Sequence, residues 1–129
     1  MNNLLLAVNG TLMRGLELNP NLLSVGATFV REAKTAACYR LWSINDRHPA
    51  MMRFQEEGAE IALELWFVPP AGLASVLSRE PAGLCIGKVK LSDGTEVLGV
   101  LGEAFLCDGQ REITSYGGWR AYTAAPKRG

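Results

Sequence analysis

Four kinds of place in the sequence combine residue types that could do chemistry. The apolar run Leu4-Leu5-Leu6-Ala7-Val8 leads directly into Asn9-Gly10-Thr11-Leu12. A glycine at the end of a hydrophobic run lets the chain turn sharply and leaves backbone N–H groups free to point at a ligand. An ordinary tight turn would have the same spacing. Glu64 sits inside a hydrophobic segment, and Glu80 lies between an amphipathic segment and Pro81-Ala82-Gly83. A carboxyl group beside apolar surface holds its proton more firmly and can serve as general acid or base. A solvated strand face for Glu64 and a polar helix end for Glu80 are the bland alternatives. His48 is the single histidine, in the polar run Asn45-Asp46-Arg47-His48-Pro49. Imidazole is the side chain whose unperturbed charge change falls between pH 5 and 8. At the mouth of a pocket it would titrate usefully, whereas in a solvated loop it would do nothing. The fourth place is Tyr116-Gly117-Gly118-Trp119, where adjacent glycines permit close backbone approach or positive φ.

Several chemistries are excluded. Metal sites need clustered His, Cys or carboxylates, and one histidine with three scattered cysteines makes zinc a poor fit. Cys38, Cys85 and Cys107 lie among apolar or small neighbours and read as reduced, mostly buried thiols of a cytoplasmic protein. There is no G-x-S-x-G elbow, no G-x-x-x-x-G-K-[ST] phosphate loop and no G-x-G-x-x-G after a strand. No cofactor is expected.

The elements that must position these residues follow from periodicity. Residues 4–8 read as a buried strand. Residues 27–33 and 39–44 alternate as strands, and 45–49 form a turn cluster. Residues 59–68 alternate most cleanly: Ile61, Leu63, Leu65 and Phe67 share one face, with Glu60, Ala62, Glu64 and Trp66 on the other. Pro69-Pro70 stops this strand, and Pro70 opens a helix carrying Leu73, Val76 and Leu77 that ends before Pro81. Residues 84–91 and 95–106 read as two strands joined at Ser92-Asp93-Gly94, with Gly99 and Gly102 marking a bulge in the second. Residues 113–119 form a loop or short helical turn. The tally is about six strands and one or two short flanking helices. It predicts an α+β fold, a small mixed, mostly antiparallel sheet curling into a partly closed β-barrel. One domain is expected over residues 1–123, with a mobile tail at 124–129.

Composition sets the outer bounds. The chain has 129 residues, 48% hydrophobic and 20% charged, which suits one globular core without staples. Thirteen basic residues balance thirteen acidic ones, so no basic excess points to nucleic acid. The longest uncharged apolar-rich stretch, 65–78, is interrupted by Pro69-Pro70 and is too short for a bilayer span. The N-terminal run lacks the basic flank of a signal peptide.

The segment 6–15, with its strand, glycine turn and threonine, resembles the opening motif of the gamma-glutamylcyclotransferase-like superfamily, with Asn9 in place of the usual aromatic. The pieces Tyr39-Arg40-Leu41, 59–66, 84–94 and above all Ile113-Thr114-Ser115-Tyr116-Gly117-Gly118-Trp119-Arg120-Ala121-Tyr122 resemble one branch, the C-terminal domain of allophanate hydrolase. The resemblance implies a mixed barrel with a cavity at the glycine loop. It also implies the second step of allophanate breakdown, in which the N-carboxycarbamate left by an amidase loses carbon dioxide. The amidase signature itself is missing, since no two serines are neighbours. On this reading the ligand is a small carboxylated urea derivative. Asn9, Gly10, Thr11 and Leu12 would hold it, Arg40 or Arg120 would offer a fork to the anion, and Tyr116, Gly117 and Gly118 would lie beside Gly10 in the same cavity wall. Catalysis would fall to Glu80, by its place after the helix, and to His48. Cyclotransferase chemistry releasing 5-oxoproline, with Glu80 as base, and a non-catalytic module docking on a separate amidase remain open. So does pairing with a second copy of the chain.

Overall fold

The computed structural model describes residues 3–126. Strand β1 (Leu4–Val8) is the centre of a five-stranded sheet. It pairs antiparallel with β5 (Ala62–Val68) on one side and parallel with β7 (Glu96–Gly102) on the other. Outside these lie β2 (Thr28–Lys34) and β6 (Leu84–Lys90), giving the order β2-β5-β1-β7-β6. A second, three-stranded sheet has the order β4-β3-β8, formed by β3 (Tyr39–Ile44), β4 (His48–Arg53) and β8 (Arg111–Glu112). Four short helices fill the connections: α1 (Asn19–Leu23), α2 (Pro70–Arg79), α3 (Ala104–Cys107) and α4 (Trp119–Ala124), with a 3-10 turn at Thr114–Tyr116.

The core lies between the sheets. Leu6, Val8, Leu41, Met51, Ile61, Leu63, Leu65 and Ile113 are sealed from solvent. A buried polar group must find a partner. Tyr39 meets this need by accepting the Lys90 backbone N–H at 2.9 Å, and Thr35 by accepting that of Ile61 at 2.9 Å. Pro70 stands in the first turn of α2, where its missing N–H costs nothing.

Several expectations are corrected. The fold is α+β and mixed, but its two sheets remain separate and do not close into a barrel. The expected turn at 45–49 is shorter. Asn45 and Asp46 both take positive φ, 52° and 56°, as a tight hairpin requires. His48 and Pro49 then begin β4 instead of belonging to the turn. Proline is accommodated because β4 is an edge strand, where the missing N–H faces no partner. The strand expected over 95–106 ends at Gly102, and α3 follows. Its pairing with β6 runs without a register shift, so the bulge expected at Gly99 or Gly102 is absent. A bulge occurs instead in β2, between Phe29 and Arg31. The two faces of β5 are both covered: Glu64 and Trp66 are as buried as Leu63 and Leu65, while Phe67 is exposed. Of the tail expected from 124, Ala124 belongs to α4, and residues 127–129 lie outside those described.

Candidate functional site

Where β1 ends, the chain turns through Asn9 to Leu12 and borders a concavity of about 640 Å³. Its walls include Asn9, Gly10, Thr11 and Leu12 from this loop, His48 from β4 and Glu80 from the end of α2. Six of the residues singled out in the sequence thus meet in one place. The close approach of loop and β4 depends on Gly10: a Cβ there would lie 2.5 Å from Pro49 Cδ.

The loop is held at its entrance by Asn9. Its buried side-chain amide donates to the Val100 carbonyl at 3.0 Å and touches Met51 Sδ at 3.8 Å. The carbonyls of Gly10, Thr11 and Leu12 accept from Met13 N, Leu18 N and Asn19 Nδ2. Their N–H groups have no acceptor among the described residues. Gly10 and Leu12 are buried. Buried backbone donors are rarely left unpaired, so three in succession, bordering a cavity, are the candidates for an anion nest. The Thr11 hydroxyl, half-buried and without a protein partner, adds a fourth donor.

Glu80 is half-buried, and no hydrogen bond or ion pair engages its carboxyl among the described residues. Burial pushes that carboxyl above its ordinary value. His48 Nδ1 lies 3.0 Å from the Pro49 carbonyl oxygen. A carbonyl only accepts, so it is Nδ1 that donates in this contact. Arg47, beside His48 on the hairpin, also lines the cavity and has no carboxylate partner among the described residues. Sequence reasoning missed it. The signal was its position next to His48, one residue before β4 begins.

The other candidates lie elsewhere. Tyr116, Gly117, Gly118 and Arg120 border a second concavity of about 640 Å³, together with Glu64 and Met13. The expectation that the double glycine shares a wall with Gly10 is therefore corrected. Gly117 takes φ of +80°, and a Cβ on Gly118 would lie 3.1 Å from Ala62 Cβ. The pair serves the packing of α4 against β5. Arg40 borders neither concavity. It makes a two-pronged ion pair with Glu112, at 2.6 and 2.9 Å, across the β3–β8 ladder.

Glu64 is not a poised base. Burial alone would push its carboxyl up, but the Arg14 backbone N–H, Trp66 Nε1, Arg14 Nε and Arg120 Nη2 all donate to it and hold it below its ordinary value. The cysteines are free thiols, Cys107 buried and Cys38 and Cys85 half-buried. Among the described residues no three His, Cys, Asp or Glu side chains cluster as a metal site, and no helix is long and apolar enough to cross a membrane.

Urea amidolyase of Saccharomyces cerevisiae is 33% identical over 91% of this chain, which spans only 7% of that protein's length. The crystal structure of c4763, a uropathogenic E. coli-specific protein, is 61% identical, with a TM-score of 0.95 over 98% of this chain and 100% of that one. Kluyveromyces lactis allophanate hydrolase is 30% identical and superposes with a TM-score of 0.90, covering 95% of this chain and 21% of that one. Residues 4–124 match the allophanate hydrolase C-terminal domain as a family, and the chain belongs to it.

Proposed function

We propose that the cavity at the glycine loop binds a small carboxylated urea derivative and promotes its decarboxylation. The observation that supports this most is the row of unpartnered N–H groups at Gly10, Thr11 and Leu12 in the cavity that also holds Glu80 and His48. The nest and Arg47 would receive one carboxylate of N-carboxycarbamate. Cleavage of the other C–N bond releases carbon dioxide and sends the bonding pair to nitrogen, which must gain a proton. Glu80, whose carboxyl burial pushes above its ordinary value, is suited to donate it. The products are carbamate and carbon dioxide, and Glu80 is reprotonated through His48 or water.

The test couples a separate allophanate amidase to this protein and follows carbon dioxide release. Adding the protein should accelerate release beyond the spontaneous rate. Glu80→Gln and Arg47→Met should each abolish most of the acceleration. An unchanged rate at saturating protein would overturn the catalytic reading. Binding of malonate, the carbon isostere of N-carboxycarbamate, without any rate effect would leave a binding module. Formation of 5-oxoproline from gamma-glutamyl amino acids would instead favour cyclotransferase chemistry.

A further inference from the structure

Glu64 faces the second concavity, yet its bonds run to the loop of the first. In the β1–β5 ladder it stands opposite Val8, the last residue before the loop. Its Oε1 accepts the Arg14 backbone N–H at 2.9 Å and Trp66 Nε1–H at 3.2 Å. Its Oε2 accepts Arg14 Nε and Arg120 Nη2, each at 3.1 Å. Arg120 Nη2 also donates to the Arg14 carbonyl at 2.5 Å. Both backbone polar groups of Arg14, four residues after Gly10, are thus fixed by side chains of β5 and α4.

We propose that Glu64 is a positioning residue for the anion nest, acting through Arg14 with Arg120 as a second clamp, so that the loop is stretched between Asn9 and Arg14. This rests on the reading of the nest as the ligand site. The carboxylate is only 1% exposed, and every partner it has is a donor. A charge desolvated to this degree is not needed to fill space in β5, where an apolar side chain would pack as well. What it uniquely supplies is a two-oxygen acceptor that grips a loop backbone and two guanidinium groups together. An amide of the same shape would turn an NH2 toward some of these donors and release part of the grip. The nest would lose its shape although neither the strands nor the cavity residues had changed.

The test reads the loop without any ligand. Glu64→Gln and, as a second variant on an exposed helix, Arg120→Gln are compared with the unaltered chain by amide hydrogen exchange and 1H–15N spectra. The Arg14 amide should exchange at least tenfold faster in Glu64→Gln. The Gly10, Thr11 and Leu12 signals should shift in both variants, while the β6–β7 hairpin keeps its protection. Malonate titration should then show at least a tenfold weaker affinity for Glu64→Gln at full folded fraction. Unchanged loop signals in both variants, or a uniform loss of protection across the sheet, would overturn the proposal. So would an unchanged malonate affinity despite a shifted loop. Failure of the unaltered chain to bind malonate would reject the ligand site, while the exchange data would still decide whether Glu64 sets the loop.

Discussion

Glu64 and Glu80 are the same residue type driven in opposite directions. Glu80 has burial without donors, so its carboxyl is raised. Its neutral form is favoured in the folded state, and the stability linked to it is fully present below the unfolded value of about 4.3. That contribution is lost as pH rises through the raised folded value. Glu64 has burial outweighed by four donors and is lowered. Its contribution is present above about 4.3 and is lost as pH falls through the depressed folded value. Thermal melts across the acid range should therefore separate two variants. Glu80→Gln should match the unaltered chain at low pH and gain on it as pH rises. Glu64→Gln should be less stable by about 2 kcal/mol near neutrality, with the deficit shrinking in acid. If the two difference curves slope the same way, the assigned causes are wrong. Turnover by Glu80→Gln should fall by about 10²-fold or more if it is the proton donor. From the sequence, both carboxylates could be singled out by their apolar neighbours. Their roles could not be, because three of the four donors to Glu64 come from positions 50 and 56 residues away.

The β3–β4 hairpin shows what local pattern reveals about an element and what it hides. The turn at Asn45-Asp46 was legible from residue type. The strand that follows was not, because Pro49 argues against a strand unless the strand is known to lie at an edge, and that is a fact of sheet order. The hairpin also ties the C-terminal helix to the rest. Asp46 Oδ1 accepts from Ser43 Oγ at 2.6 Å and from Tyr122 Oη of α4 at 2.5 Å, while Asp46 itself holds positive φ. Asp46→Ala should cost about 2 kcal/mol in denaturant unfolding, combining left-handed strain with lost hydrogen bonds. Asp46→Gly removes the strain but not the lost bonds, so it should recover roughly half. Equal costs for the two would show that conformation contributes nothing at this turn. The alternation of β5 was read with equal clarity, yet its polar face is buried. A period of two identifies two faces but not what covers each, and here the loop 9–15 and α4 cover the second.

At the scale of the whole molecule, the step from about six strands to a partly closed barrel failed because closure depends on pairing between distant strands, which no local pattern encodes. The two open sheets leave edges, and an open edge invites pairing with another chain. β2 is such an edge. It is largely exposed, carries Arg31, Glu32 and Lys34, and is broken by the bulge after Phe29. Charges and a bulge are the devices by which natural edges resist association, and Val30, exposed on this strand, would otherwise favour it. Arg31→Val combined with Lys34→Val removes two charges and extends the apolar edge. The doubly altered chain should associate in a concentration-dependent way that sedimentation velocity detects at concentrations where the unaltered chain shows no such change. The β5 pairing beneath it should persist, because the ladder from Thr28 to Lys34 uses backbone groups that both substitutions leave intact. A variant that sediments like the unaltered chain over a hundredfold range would mean that the bulge alone protects the edge, and restoring a regular register there would become the next substitution to make.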